Sequence, residues 1–461
     1  MPPFKDKRPK HSGHLLKEPL FWFFICGLVA FGAAAATLLH ISLLLPLFFV
    51  GGIISLLLLY RNPLVLLMLL VVVRMSLDYS TQYFSVTIED LSLSFSQLLG
   101  VGIAVVGVLL LLFKRNELKD YPLKVPFLLV FVWGLATLTY SIEPRATLQE
   151  LLRFFDLFVL GFLGYVAVKK TEDFKQLLTA FLVSALLPLF FGLYQFLFRI
   201  GLDDENVSVL RIFGTFSHPN VFSLYLFSLI IFAALYYLIF ARTSKSRIVT
   251  LLLLAVLTGM LILTFARVAW VALFFFAFLV ALFRYRLLLF PLFLFPFILF
   301  VFSPPFQERV AESFRTDPDS SILWRQTLWH DVATKSLQDG KLLLGSGMNT
   351  FPLVSQSLRG TTLGSNEPHN DFVKFFVEGG VVGAIVYGLY IISLLVILYR
   401  GYKKSRPQSA LRLAYGFMLL FFLSLQLSSL TDNVFKNTPV QWLFFIALGS
   451  LLSLSRETKE K

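Results

Sequence analysis

The sequence has little of what soluble proteins commonly use for cross-linking and metal binding. Its 461 residues include one cysteine, Cys26, and six histidines. A single cysteine excludes an intrachain disulfide, and no two histidines stand in a paired spacing such as HExxH. The sequence therefore predicts neither a metal centre nor a cofactor.

Charged residues are also scarce, and this scarcity indicates the class of protein. They form 15% of the chain, whereas hydrophobic residues form 57% and 52 residues are phenylalanine. Soluble domains are typically about one quarter charged and about 45–50% apolar. This composition predicts an all-α integral membrane protein whose charges are concentrated in loops.

Apolar runs of about 20 residues are long enough to cross the hydrocarbon core of a membrane. The weakest run, 62–77, is short and contains Arg74, and 247–265 has almost no linker to the run after it. The expected count is therefore roughly twelve to fourteen spans. The predicted spans are 17–36, 38–59, 62–77, 92–113, 124–140, 148–168, 174–198, 219–241, 247–265, 267–283, 286–302, 372–399, 411–430 and 438–455.

The distribution of lysine and arginine predicts the orientation of these spans. With the N-terminus in the cytoplasm, every cytoplasmic loop and tail carries a basic residue, as the positive-inside rule requires. The net charge of +13 is then a signal of topology and not of nucleic-acid binding. Both termini are expected to be cytoplasmic.

The predicted organisation has one large segment outside the membrane. It consists of a cytoplasmic tail at 1–16, spans within 17–302, an outer loop at 303–371, three last spans within 372–455 and a tail at 456–461. Inside the loop, caps near residues 319 and 320 predict a helix over 322–337. Trp324, Leu328 and Val332 share one face of that helix, and an amphipathic helix with tryptophan suits a membrane interface.

Three polar segments on the outer side adjoin spans. They are LRIFGTFSHPN at 210–220, TFARVAW at 264–270 and NEPHND at 366–371. Each has an ordinary explanation: Arg211 as a solvated loop charge, Arg267 as a snorkelling interfacial residue, and His369 as a residue of a helix entry.

Arg267 is the hardest of these residues to explain as an ordinary one. It lies within about 36 otherwise apolar residues and has no acidic neighbour in sequence, and a charge in such a place is costly. A planar guanidinium binds two phosphate oxygens at once. Arg211 and Arg267 could hold a pyrophosphate leaving group. His369 could take a proton from an attacking hydroxyl, because the ordinary pKa of histidine is near 6.5.

The same segments resemble the O-antigen ligase and polymerase family of bacterial membrane glycosyltransferases. The resemblance covers about 210–400, and the first 200 residues match only as generic spans. Val268 departs from the glycine that is common after the second arginine. The matching motifs are Arg211-Ile-Phe-Gly214-Thr-Phe216-Ser-His218-Pro219-Asn220, Thr264-Phe-Ala-Arg267-Val-Ala-Trp270, Gly345-Ser-Gly347 and His369-Asn370.

The resemblance implies a reaction and roles for three residues. The donor would be a glycan on undecaprenyl diphosphate, and the acceptor would be lipid A-core or another glycan, at the periplasmic face of the bacterial inner membrane. Arg211 and Arg267 would bind the donor diphosphate, and His369 would be the catalytic base. The reaction would need no metal and would invert the anomeric carbon.

Several further residues are weaker candidates for supporting roles. Asp432 could orient the base, Glu378 could pair with an arginine, and the glycine motif could present N–H groups to phosphate or form a plain turn. The supporting candidates are Asn370, Glu378, His218, Asn220, Gly345, Gly347, Arg325 and Asp432.

Other functions remain open at the level of the sequence. Ligase is the family's usual activity, but no residue distinguishes it from an O-antigen or polysaccharide polymerase. A lipid-linked glycan flippase or other transporter would be expected to show inverted repeats and charges near the bilayer midplane, which are not evident. A purely structural scaffold would leave Arg267 unexplained. The sequence does not indicate an oligomeric state.

Overall fold

The computed structural model describes residues 44–78, 85–88, 91–204, 207–315, 321–360 and 365–457. The predicted tail at 1–16, the predicted span at 17–36 and most of the tail after 456 lie outside these residues. The predicted span at 38–59 is described from residue 44 onwards.

The regular secondary structure of the described chain is α-helical apart from one 3-10 turn and two short antiparallel hairpins. This confirms the predicted all-α membrane fold. The hairpins pair β1 (Ser85–Ile88) with β2 (Leu91–Ser94) and β3 (Leu202–Asp204) with β4 (Val207–Arg211). The helices are α1 (Leu44–Arg61), α2 (Pro63–Ser76), α3 (Phe95–Phe113), α4 (Arg115–Lys119), α5 (Lys124–Thr137), α6 (Pro144–Ala167), α7 (Thr171–Val183), α8 (Leu186–Leu197), α9 (Pro219–Ile239), α10 (Ser244–Leu263), α11 (Arg267–Phe283), α12 (Leu289–Phe302), α13 (Pro304–Glu312), α14 (Ser321–Gln338), α15 (Phe351–Arg359), α16 (Asp371–Lys404), α17 (Ala410–Ser428) and α18 (Thr438–Glu457).

Seven helical segments of the described chain are long and apolar enough to cross a membrane. An eighth candidate is the segment 286–312, which bends by 103° between α12 and α13. Four shorter apolar helices lie in α1, α2, α5 and α11. The predicted count of twelve to fourteen spans therefore stays a prediction.

The long helices begin where the sequence provides a cap or a proline. His218 precedes Pro219 at the start of α9, and the His218 ring accepts a hydrogen bond from the N–H of Asn220. Asn370 caps α16 by accepting from the N–H groups of residues 372 and 373. These caps satisfy amide groups that have no partner within a helix, so they fix the position of both helix entries.

The interior is built around α9 and α18. In each of these helices 78% of the residues in an apolar stretch of 18 are buried, against 22% in α3 and α10. A close crossing of α6 and α18 stabilises this centre. A Cβ added to Gly449 would lie only 1.9 Å from the carbonyl oxygen of Gly161. Small residues allow such approaches in membrane helix pairs, because dispersion contacts replace the hydrophobic effect there.

The outer loop contains α13, α14 and α15, and the predicted loop helix is confirmed as α14. Its expected role at the membrane interface stays a prediction, and its apolar face packs against the protein. Leu328 and Val332 are fully buried against Phe351 of α15 and Val377 of α16, and Trp324 packs beside them. The apolar face covers other parts of the protein, since α15 and the start of α16 offer it a closer apolar surface.

Candidate active site

Two elements place the first motif at the end of the helix bundle where α9 and α16 begin. β4 ends at Arg211, and α9 begins within the same motif, so Asn220 lies in the first turn of α9. The Arg211 side chain is buried, donates from Nε to the Thr264 carbonyl oxygen at 3.0 Å and donates from Nη2 to Asn220 Oδ1 at 2.8 Å. The first and second predicted motifs are therefore in direct contact.

An unbroken chain of hydrogen bonds continues from Asn220 to the predicted base. Asn220 Nδ2 donates to Asp432 Oδ2 at 2.9 Å, and Asp432 Oδ1 lies 3.4 Å from His369 Nδ1. An amide side chain can donate and accept at once, so Asn220 connects a cation to a carboxylate. Four predicted residues, Arg211, Asn220, Asp432 and His369, thus form one connected unit.

Arg267 joins this unit through the turn that precedes α11. Its Nη1 donates to Ser313 Oγ at 2.9 Å, and its Nη2 lies 3.2 Å from Glu312 Oε1. Glu312 also pairs with Arg309, whose Nε donates to the Phe265 carbonyl oxygen at 3.0 Å. The consecutive carbonyls of residues 264 and 265 therefore accept from Arg211 and Arg309.

Positive charge predominates in this cluster. Arg325 of α14 donates to the Thr431 carbonyl oxygen at 2.9 Å and interacts electrostatically with Asp432, Arg309 and Glu312. With Arg211 and Arg267 included, four arginines of the described chain lie in this cluster. Guanidinium groups that are brought together are suited to an anion, above all to a phosphate that presents two oxygens side by side.

The environment separates the protonation states of the acidic and basic groups. Burial alone would raise the pKa of Asp432, but the hydrogen bond and charge of His369, the Asn433 N–H and Arg325 together lower it. Burial, and next the charge of Arg211, lowers the pKa of His218 to about 4. Near neutral pH, Asp432 is a carboxylate and His218 is uncharged, so His218 acts as a helix cap and not as a cation.

Backbone strain coincides with the cluster. His369 has φ +47° and Phe265 has φ +49°, although left-handed backbone costs most residues roughly 1–2 kcal/mol. Strained residues of this kind concentrate at functional sites, where the surrounding structure holds them. Here the strained residues are His369, the predicted base, and Phe265, which lies in the turn that accepts hydrogen bonds from Arg211 and Arg309.

Hydrogen bonds from neighbouring elements hold the two loops that carry His369 and Asp432. Trp329 of α14 donates to the Pro368 carbonyl oxygen at 2.6 Å. The Phe435 amide donates to Asp371 Oδ2, and its carbonyl accepts from Arg153 Nη1, both at 2.8 Å. These contacts fix the separation of His369 and Asp432.

Three supporting candidates lie away from the arginines. Glu378 Oε2 pairs with Lys374 Nζ at 2.6 Å inside the protein. The N–H of Gly347 donates to the Glu378 carbonyl oxygen at 2.9 Å, and that of Gly345 donates to Lys341. A Cβ on Gly345, which has φ +72°, would lie 2.4 Å from the Glu378 backbone. The glycine motif therefore forms a turn packed on α16.

The sequence did not indicate the contribution of Arg309 and Glu312. Both lie in α13 at spacing i, i+3, a pattern that does favour an ion pair on one helix face. Their approach to Arg267 depends on the bend between α12 and α13. Among the residues that the structure describes, no group of three or more His, Cys, Asp or Glu side chains could hold a metal ion.

The fold and the cluster define a multi-pass helical membrane protein that brings four arginine side chains together with His369 and Asp432. Residues 251–388 match the family described as O-antigen ligase. The match includes Arg267, His369 and the glycine motif, and it confirms the predicted resemblance over this segment. It supports a membrane glycosyltransferase of the O-antigen ligase and polymerase type. A comparison with curated proteins found no match.

Proposed function

We propose that the protein is a metal-independent inverting glycosyltransferase that moves a glycan from undecaprenyl diphosphate to an acceptor hydroxyl at the periplasmic face. The hydrogen-bonded chain from His369 through Asp432 and Asn220 to Arg211 carries the proposal, because it connects a base to a phosphate-binding cation. Lipid A-core is the acceptor that we favour, which makes the protein an O-antigen ligase.

The donor diphosphate binds to Arg211 and Arg267 in this proposal. The Arg267 side chain is 21% exposed, so it can reach a ligand, and Arg309 supports it through their shared partner Glu312. Negative charge grows on the diphosphate as its bond to the anomeric carbon breaks. Cations that are already in place stabilise that charge without reorganising, and stabilisation of this kind often contributes more to catalysis than any other effect.

His369 accepts the proton of the acceptor hydroxyl. Its Nδ1 faces Asp432, so the tautomer with hydrogen on Nδ1 leaves Nε2 to take the proton. The acceptor oxygen then bonds to the anomeric carbon as the carbon–oxygen bond to the diphosphate breaks. A single displacement of this kind inverts the anomeric carbon, and Asp432 stabilises the imidazolium that forms.

The test is transfer by the purified full-length chain from a synthetic polyprenyl-diphosphate glycan, measured without ATP and with a metal chelator. Arg211→Ala and Arg267→Ala are expected to lower transfer by at least about a hundredfold, a typical loss for one electrostatic donor. Arg267→Lys should recover little, because a lysine lacks the planar fork. Arg145→Ala, which removes an exposed arginine outside the cluster, is the matched control.

Wild-type transfer by the Arg267→Ala protein would contradict the proposal. A second measurement distinguishes the acceptors in cells that lack the gene. Lipid A-core without any attached glycan would support the ligase, whereas lipid A-core carrying single repeats would indicate a polymerase.

A further inference from the structure

A cavity of about 820 Å³ lies at the end of the helix bundle opposite the candidate active site. α16 begins beside His369 and ends at Lys404, which lines the cavity. The helix is kinked at Gly380, and the residues from 381 to 404 extend over roughly 36 Å. α18 likewise runs from the outer face to Arg456, another lining residue. The two sites are therefore at different membrane faces.

The walls and the rim of the cavity differ in chemistry. The walls are apolar, with Phe174 of α7, Ile239 of α9, Ile397 of α16 and Leu451 of α18 among their residues. The floor contains a hydrogen bond of 2.7 Å between the hydroxyls of Tyr415 and Ser455. The rim is basic and includes Lys170, Arg400, Lys404, Arg406 and Arg456.

The rim has more positive charge than its neighbours neutralise. Asp120 is the acidic residue in the lining, and it already pairs with Arg456 at 3.1 Å. Within the described parts of the chain, no carboxylate forms a salt bridge with Arg400, Lys404 or Arg406. The positive-inside rule accounts for basic residues at this face, but not for their convergence around one apolar cavity.

We infer that this cavity binds one anionic phospholipid of the adjacent leaflet. The phosphate diester lies against Arg400, Lys404 and Arg406, and the acyl chains cover the apolar walls. A soluble phosphate would satisfy the rim but would leave the walls without a partner, which favours a lipid. Basic pockets between membrane helices recognise anionic headgroups in this way, and the volume is within the roughly 300–1,000 Å³ range of ligand sites.

The experiment is native mass spectrometry of the full-length chain in mixed micelles of phosphatidylglycerol and phosphatidylcholine. The wild-type protein is expected to retain one phosphatidylglycerol in at least about tenfold preference. The triple substitution Arg400→Ala, Lys404→Ala and Arg406→Ala should reduce that preference to about one. A large excess of inorganic phosphate should not displace the lipid.

Two further variants separate binding in the cavity from general surface charge. Lys245→Ala, Arg284→Ala and Arg286→Ala remove three basic residues at the same face but outside the lining, so the preference should change less than about twofold. Leu411→Trp fills the cavity and keeps every charge, so it should abolish retention.

Each contrary result would overturn the inference. Equal loss in both triple variants would mean that surface charge alone attracts the lipid. Full retention by Leu411→Trp would place the lipid outside the cavity, and displacement by inorganic phosphate would mean that the ligand is a soluble anion. Circular dichroism and the transfer assay confirm that each variant is folded.

Discussion

Two groups of charges lie near the outer end of α16, and they differ in access and in balance. In the inner group, Lys374 pairs with Glu378 at 2.6 Å and lies 3.8 Å from Glu150, which Arg153 also contacts at 2.7 Å. The side chains of Lys374 and Glu378 are 0% and 1% exposed. In the outer group, His369 and Arg267 are 18% and 21% exposed.

The balance of charge distinguishes a structural group from a ligand site. Two acids and two bases neutralise each other in the inner group, so it needs no further partner. The outer group brings four arginines together, and part of it can reach solvent. A buried pair that lost one partner would leave an uncompensated charge, whereas cations that reach solvent can recruit an anion.

The strongest test of this comparison is His369→Ala. Removal of a general base typically lowers a rate by about 10²- to 10⁴-fold, so transfer by the folded variant should fall by that factor. The control is His330→Ala, since the His330 side chain is 79% exposed on α14. Equal activity of the two variants would remove His369 from the mechanism.

The second test concerns the inner group, for which we expect a loss of stability and little change in transfer. Glu378→Gln breaks a buried pair and should cost about 3–5 kcal/mol of stability, measured by thermal unfolding in detergent. The folded fraction should still transfer glycan at nearly the normal rate. Asp339→Asn breaks the exposed pair with Lys335 and should cost less than about 1 kcal/mol. A specific loss of transfer in folded Glu378→Gln would erase the distinction between the groups.

The third test concerns the acid sensitivity of the outer group. The pKa of Asp432 is lowered in the folded protein, so its carboxylate stabilises the fold above its ordinary pKa of about 3.8. That contribution, roughly 1.5–3 kcal/mol for hydrogen bonds to a charged group, is lost as the pH falls through the folded pKa. Asp432→Asn should therefore be less stable than wild type at pH 7 and converge with it at low pH.

The control for this test is Asp120→Asn, which removes a carboxylate that is 57% exposed at the other face. It should change stability little at any pH. A constant difference between Asp432→Asn and wild type across the pH range would show that the charge of Asp432 is not what stabilises the loop.

The fourth test concerns the pH dependence that His218 contributes. Because its pKa is lowered to about 4, the folded state resists protonation that the unfolded chain accepts near 6.5. The contribution of His218 to stability is therefore complete above about 6.5 and decreases as the pH falls towards 4. His218→Asn keeps a capping acceptor and should flatten this decrease. An unchanged pH profile would assign the titration to another group.

The sequence predicted much of the outer group because it contains the motif residues and because the distribution of lysine and arginine predicts on which side of the membrane they lie. Arg211, Asn220, Asp432 and His369 lie in or beside loops on one predicted face, and the structure connects them. The contact between Arg267 and Glu312 was not readable, because it requires the 103° bend between α12 and α13. A proline pair predicts the end of a helix, but not the direction that the chain takes next.

In two places the structure shows a closer partner than the one that the sequence analysis considers. The tryptophan-bearing face of α14 packs against apolar side chains of α15 and α16. Glu378 was considered as a partner for an arginine, although Lys374 stands four residues before it and is its observed partner. That spacing favours a pair on one helix face, so the local pattern was the better guide there.

The turn at Thr264 and Phe265 has one consequence for the arginines that it holds. An amide oxygen carries only a partial negative charge, so a guanidinium tethered to it is aimed without being neutralised. A carboxylate in the same place would aim the side chain equally well and cancel most of its attraction for a diphosphate. Neutral tethering thus directs the Arg211 guanidinium without adding a negative charge at Thr264, whereas Arg309 is also paired with the Glu312 carboxylate.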